Sequence, residues 1–385
     1  MTSKRLKDKK VPNLRFPGFE EEWETKKLEE ICKMQAGKFI SASEINDKKD
    51  TGLFPCYGGN GLRGYVNLFN RVGMYSLIGR QGALCGNVNL ANGKFYATEH
   101  AVVAASFENI NTIWMFYLLN FLNLNQYSTG MAQPGLSIQN LEKIETKIPN
   151  NIIEQKKIGS LLSVIDERIS TQNKIIEELE QLIKGICQKL FHNRGNKTWS
   201  EQFLEDVLEE RKEINTDNYT VHSVSVSKGV INQIEYLGRS FAAKDTTNYN
   251  VVHYGDIVYT KSPTGEFPYG IIKQSFIKER AAVSPLYGVF RAKNFYMANI
   301  LHFYFSNPIN VQNYLQSIIQ KGAKNTISIT NQNFLKKKLY LPIDEKEIKK
   351  ISSLLSTIES KKVIEMNILE KLQNQKKHLL HQMFI

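Results

Sequence analysis

The plainest chemistry in this 385-residue chain lies in cations and carboxamides set among glycines. One group is Lys38, then Tyr57-Gly-Gly-Asn60-Gly-Leu-Arg63-Gly-Tyr65, then Arg80-Gln81. A guanidinium can grip guanine through two hydrogen bonds, and a carboxamide can do the same for adenine. Glycine lets a phosphate or base edge come close to the backbone. A second group is Ser225, Lys228, Lys261, Thr264, Lys321, Lys324 and Asn325. The glycine run also suits a plain hairpin turn, and each of these side chains alone also suits a solvated surface.

The charge balance points the same way. Fifty Lys and Arg against 38 Asp and Glu leave a net charge of +12. Such an excess favours a polyanion, because each neutralised phosphate releases counterions.

Patterns for catalysis do not accompany these residues. Gly86 to Lys94 lacks the spacing of a phosphate-binding loop. Asn307-Pro308-Ile309 falls short of the motif with which an amino-methyltransferase grips a flipped base. Asp344-Glu345-Lys346-Glu347 faintly echoes a nuclease set, but acidic residues at a helix start complement its dipole. Cys32, Cys56, Cys85 and Cys187 form no C-x-x-C pair, which favours free thiols over zinc or a disulfide framework. The run Ile113 to Leu119 stops at Asn120, too short for a bilayer. The charged first ten residues have no apolar core behind them, so a cytoplasmic chain without a signal peptide is expected.

The elements that must carry these residues are written twice. Trp23-Glu-Thr-Lys-Lys-Leu28-Glu29-Glu30-Ile31 returns, 176 positions on, as Trp199-Ser-Glu-Gln-Phe-Leu204-Glu205-Asp206-Val207. Phe116-Tyr117-Leu-Leu-Asn120 returns at an offset of 187 as Phe303-Tyr304-Phe-Ser-Asn307. Ile158 to Asp166 returns at 193 as Ile351 to Glu359. A duplicated framework with two unlike inserts follows. The boundaries expected are a module over 1–149, a helix over 150–195, a second module over 196–342 and a second helix over 343–385. Asn60-Gly61 and Asn92-Gly93 predict hairpin turns. Met74–Ile78, Ala101–Phe107, Val221–Val226, Asp256–Tyr259 and Ala282–Phe290 predict strands, Thr112 to Asn120 a helix, and Pro263-Thr-Gly265 a turn.

Both long helices show a heptad seam. The first steps through Ile158, Leu161, Ile165, Arg168, Gln172, Ile175, Leu179, Leu182 and Ile186. The second steps through Ile351, Leu354, Ile358, Lys361, Glu365, Ile368, Leu372, Gln375 and Leu379. An antiparallel register with paired positions summing to 533 sets Arg168 on Glu365, Gln172 on Lys361, Ile165 on Ile368 and Leu161 on Leu372. A zipper between two chains is the other use of such helices.

This layout resembles the specificity subunit of type I restriction–modification enzymes. Pro12-Asn-Leu-Arg-Phe-Pro-Gly-Phe19 before Trp23 resembles its opening, and Ile148-Pro149 followed by Glu154-Gln155-Lys-Lys-Ile158 resembles its junction of recognition domain and spacer. Gly255-Asp-Ile-Val258 and Leu77-Ile-Gly-Arg80-Gln-Gly82 sit where such domains carry similar strands and turns. The resemblance implies an α+β fold with a pseudo-twofold repeat, in which two target-recognition domains are separated by two long antiparallel coiled-coil helices. It implies double-stranded DNA as ligand, each domain reading half of a bipartite asymmetric site. It also implies two modification and two restriction subunits as partners. S-adenosylmethionine, ATP and Mg would be bound by those partners and none by this chain. The second junction, Asp344-Glu345-Lys346-Glu347, departs from Asn151-Ile-Ile-Glu154 in the first. The rival to this reading is a coiled-coil scaffold whose modules bind protein.

Overall fold

The computed structural model describes residues 10–82, 84–130, 134–192, 195, 197–321 and 327–385. The chain divides into two compact units, one of residues up to Lys174 together with Met366–Ile385, the other of Ile175–Glu365. Both long helices are therefore shared between units.

The first unit opens with β1 (Glu24–Lys27), β2 (Cys32–Ala36), β3 (Phe54–Gly58) and β4 (Gly61–Val66). Next come β5 (Arg71–Gly79), β6 (Val88–Ala97), β7 (Ala101–Ser106) and α1 (Thr112–Phe121). It continues through α2 (Ile138–Glu142) and β8 (Glu145–Ile148) into α3 (Ile152–His192). Six strands form one sheet in the order β2-β7-β5-β6-β3-β4, while β1 pairs antiparallel with β8. Asn111 starts α1 by accepting from Trp114 N–H at 2.9 Å, satisfying a donor that a helix start leaves open. Trp23, Trp114 and Phe384 build the core, the rings of Trp114 and Phe384 stacked at 6.0 Å.

Two turn expectations change here. The β3–β4 hairpin turns on Gly59-Asn60, since Gly58 pairs with Gly61. Asn92-Gly93 makes no turn; it lies within β6, with Gly93 opposite Gly73 of β5. Both glycines have positive φ, +87° and +122°. Side chains other than glycine rarely adopt such angles, so the pair lets two strands bend together, although a Cβ on Gly93 would meet nothing within 4 Å.

The second unit repeats the frame. It contains β9 (Trp199–Phe203), α4 (Leu204–Val207), β10 (Leu208–Glu210), β11 (His222–Ser225), β12 (Gly229–Asn232) and α5 (Gln233–Leu237). It goes on through β13 (Asn250–Val252), β14 (Ile257–Tyr259), β15 (Ile272–Gln274), β16 (Ala281–Val283), β17 (Gly288–Ala292) and α6 (Phe295–Phe305). It closes with α7 (Pro308–Leu315), β18 (Gln320–Lys321), β19 (Ile327–Ser328), α8 (Asn331–Leu335), β20 (Lys338–Pro342) and the start of α9 (Glu345–Met383). β10-β17-β14-β15 make a sheet, and β9 pairs with β20 as β1 does with β8. The single strand expected over Ala282–Phe290 is two, β16 and β17. Pro285 lies in the turn between them, where Tyr287 N–H bonds Ser284 O at 2.9 Å, a position that suits proline because it cannot donate to a ladder.

The Trp frame explains the repeat. Trp23 Nε1 donates to Glu154 at the start of α3 (3.4 Å), and Trp199 Nε1 donates to Glu347 at the start of α9 (3.0 Å). Glu154 and Glu347 stand 193 apart, the offset of the helices themselves. The two junctions are thus equivalent at this bond, whatever their differing sequences suggest. In the first, Arg15 adds a bidentate clamp on Glu154 at 2.7 and 2.9 Å.

The helices keep the heptad, but half of the seam lies one residue further on than expected. In α3 the buried or half-buried stripe runs through Ile158, Leu162, Ile165, Ile169, Gln172, Ile176, Leu179, Ile183, Ile186 and Leu190, with the expected Leu161 and Ile175 also half-buried beside it. In α9 they are Ile351, Leu355, Ile358, Lys362, Glu365, Leu369, Leu372, Lys376, Leu379 and Met383. Gln172 and Glu365 are buried in the seam as expected, but Arg168 and Lys361 are exposed beside it. Lys361 pairs with Glu365 of its own helix.

Each unit shows the antiparallel sense separately. In the first, Ile158 and Leu162 share a core with Met383 and Phe384. There Asp166 bonds Lys376 at 2.6 Å, whereas a register summing to 533 would put Asp166 opposite Asn367. In the second, Ile183, Ile186 and Leu190 pack on a core containing Ile348, Ile351 and Leu355.

Candidate nucleic-acid interface

Three segments of the first unit converge on one open groove of about 480 Å³. Its walls are Gly58–Arg63, Gln81, Leu84 and His100. Bare backbone brings them together. A Cβ on Gly79 would stand 2.2 Å from Gly59 O, so the hairpin tip rests directly on the end of β5. Arg80 N–H then bonds His100 O at 2.9 Å, joining the third segment.

Asn60, Arg63 and Gln81 of the expected set line this groove, and Arg80 flanks it. Lys38 is exposed and lies alongside, its N–H bonded to Ala97 O at 3.0 Å and its backbone bridged to Thr98. Tyr57 is different. Its ring packs edge-on against Phe95 at 5.7 Å, and burial pushes its phenol up, so it supports the sheet beneath the groove. His100 was not expected here. Its Nδ1 meets Gln81 Oε1 at 3.2 Å and its Nε2 meets Glu99 at 3.2 Å, which fixes how Gln81 stands. A lone histidine ahead of a strand carries no sequence signal of that role.

The second set does not converge in the same way. Ser225 is buried in the β11–β12 hairpin, donating to Tyr236 OH at 3.3 Å and accepting from Lys228 N–H at 3.4 Å. Lys228 is exposed on the same hairpin, its Nζ 5.9 Å from the centre of the Tyr236 ring. Lys261 donates to Asn331 Oδ1 at 2.6 Å, and Asn331 donates to Glu210 at 2.6 Å. Burial lowers the Lys261 pKa against the opposing pull of Glu210. Its φ of +53° is costly for a non-glycine residue, so the buried chain holds it in place. Thr264 is exposed in a tight turn, its backbone exchanging two hydrogen bonds with Phe267. Lys321 ends β18, while Lys324 and Asn325 lie outside the described residues.

Among the described residues no three of His, Cys, Asp and Glu gather as metal ligands, and no helix is long and apolar enough to cross a membrane. Burial pushes the Cys32 and Cys187 thiols up to about 12, which keeps them protonated and inert.

Residues 20–181 match the family model of the type I restriction modification DNA specificity domain. The chain is similar to the type I restriction enzyme EcoprrI specificity subunit of Escherichia coli, 47% identical over 177 residues, 46% of this chain and 43% of that protein. It is also similar to the MjaVIII specificity subunit of Methanocaldococcus jannaschii, 25% identical over 194 residues, 48% of this chain and 44% of that protein. The matches thus span less than half the length of these curated relatives. In fold it resembles the crystal structure of a type I restriction-modification system S subunit from M. genitalium, with a TM-score of 0.71, 14% identity, and 97% and 99% of the two chains covered. Residues 20–181 thus match a type I restriction modification DNA specificity domain in sequence, and the chain as a whole shares its fold with that S subunit.

Proposed function

We propose that this chain is the DNA-reading subunit of a type I restriction–modification complex, without catalytic activity of its own. The groove of Asn60, Arg63, Gln81 and His100 falls wholly inside the stretch that matches a DNA specificity domain, and that coincidence carries the reading. Arg63 and the carboxamides read base edges, while Lys38 and Arg80 neutralise phosphates. The second unit reads a second, different stretch, through exposed groups such as Lys228 and Thr264. The target is therefore bipartite and asymmetric. The long helices α3 and α9 set its spacing and dock two modification subunits, which supply S-adenosylmethionine, with two restriction subunits supplying ATP- and Mg-dependent cleavage. The complex works in the cytoplasm, where its DNA is.

The test is co-expression with the modification partner and mapping of N6-methyladenine in the host genome. A split, asymmetric motif is expected; methylation at one uninterrupted site refutes the two-reader assignment. Arg63→Ala should relax the sequence preference at one position, at a cost of about 1–3 kcal/mol against the right base. Retention on duplex DNA should fall steeply with salt, which a protein-binding scaffold would not show.

A further inference from the structure

The groove of the first unit displays two apolar side chains that hydrogen bonding alone does not require. Leu62 and Leu84 are 53% and 49% exposed, and they stand on the walls that carry Asn60, Arg63, Gln81 and His100. Leu62 owes its place to an irregularity in the hairpin. Tyr57 pairs with Leu62 but Cys56 with Gly64, leaving Arg63 as an extra residue. A bulge re-aims the side chains around it. Leu62 and Arg63, which a regular strand would send to opposite faces, are both exposed. At Leu84 the turn puts Cys85 in the core and leaves the leucine out, Cys85 N–H bonding Gly82 O at 3.0 Å. Backbone geometry holds both leucines beside the polar groups.

The polar groups define what can lie against such a wall. Arg63, Arg80, Lys38 and the +12 net charge favour an anionic partner, and the carboxamides favour base edges. On the major-groove edge of a duplex, thymine alone among the four bases displays an apolar group, its 5-methyl. Resting on the DNA-reading role above, we propose that the half-target of the first unit includes a thymine whose 5-methyl packs on Leu62 or Leu84. Asn60 or Gln81 then bonds base edges next to it. The leucines are specificity-determining residues that reject the cytosine-bearing pair, which lacks this methyl.

The probe is a synthetic duplex bearing the methylation-mapped target, with each thymine replaced in turn by deoxyuridine, which removes that methyl alone. Binding of the full chain with its modification subunit is followed by fluorescence anisotropy at fixed salt. One replacement should weaken binding about fourfold, as expected for losing one buried apolar carbon. Leu62→Ala or Leu84→Ala should show the same loss on the thymine duplex and no further loss on the deoxyuridine duplex. Both leucines are exposed, so melting temperature should be unchanged, and a variant that melts early is replaced by Leu→Ser at the same position. Salt-dependent duplex binding with no thymine whose effect depends on either leucine overturns the inference and leaves the DNA-reading role standing. Failure to bind any duplex overturns both.

Discussion

Glu154 and Glu347 occupy the same place in the two copies of the frame, and their removal should have unequal cost. Glu154 is fully buried, bound at both oxygens by Arg15 and at one by Trp23 Nε1. Glu154→Ala leaves a guanidinium only 14% exposed, with a buried indole N–H beside it. Breaking a buried pair from one side costs about 3–5 kcal/mol. The slight access of Arg15 to water places this case near about 3 kcal/mol. Glu347 is half-buried, and the bond at issue there is the 3.0 Å one from Trp199. Losing a hydrogen bond to a charged group costs about 1.5–3 kcal/mol, and partial exposure puts Glu347→Ala near about 1.5 kcal/mol. Urea unfolding followed by tryptophan fluorescence separates the two, since Trp23 and Trp114 lie in the first unit and Trp199 in the second. In a Trp199→Phe background the Glu154→Ala loss should appear undiminished, and Arg15→Ala added to it should cost far less than it does alone. Equal costs for the two glutamates, or a Glu154→Ala loss below about 1 kcal/mol, would refute the reasoning.

Gly79→Ala drives a methyl into Gly59 O and should separate the groove walls. Duplex retention is then expected to fall more than tenfold while the Trp199 emission of the second unit stays as it was. His302 accepts from Gln274 N–H at 3.1 Å, and burial, then Lys273 and Lys362, hold its pKa down to about 3 against 6.5 when free. The unfolded chain binds that proton first, so the second unit should lose stability as pH falls below 6.5, and His302→Gln should flatten the decline between pH 6.5 and 5 in thermal melts. Asp166 bonds both Lys376 and the Tyr117 hydroxyl. Asp166→Lys should destabilise the first unit, and adding Lys376→Asp should return about 0.5–1 kcal/mol, as expected for a partly exposed pair; no recovery in a double-mutant cycle would count against the register.

The frame was legible because it is written twice. The Trp motif placed β1 and β9, and the prolines marked the ends of β8 and β20. The seam was half legible for a definite reason. Leu161-Leu162, Ile175-Ile176, Leu182-Ile183, Leu354-Leu355 and Ile368-Leu369 are apolar doublets, so periodicity allows two stripes one residue apart. Packing at the ends chose the second stripe, as Leu162 with Met383 and Ile183 with Leu355 attest. Arg168 beside Ile169 was the one place where composition already favoured it. The groove was legible as a set of side chains but not as a place. Its assembly rests on Gly59 against Gly79, a contact between backbones that no side-chain pattern announces. Tyr57 and Ser225 have the right chemistry but sit on the inner side of their strands.

The stacking of Phe384 on Trp114 bears on the order in which a ribosome makes this protein. The second unit is one continuous stretch, whereas the first is interrupted by all of it. When residue 174 emerges, the Trp23–Trp114 pocket still lacks Met383 and Phe384, and a further 191 residues must be synthesised before residue 366 appears. At about 5–20 residues per second that interval is roughly 10–40 s. The unit begun first is thus finished last, and for that time its aromatic pocket is open to chaperones and to neighbouring nascent chains.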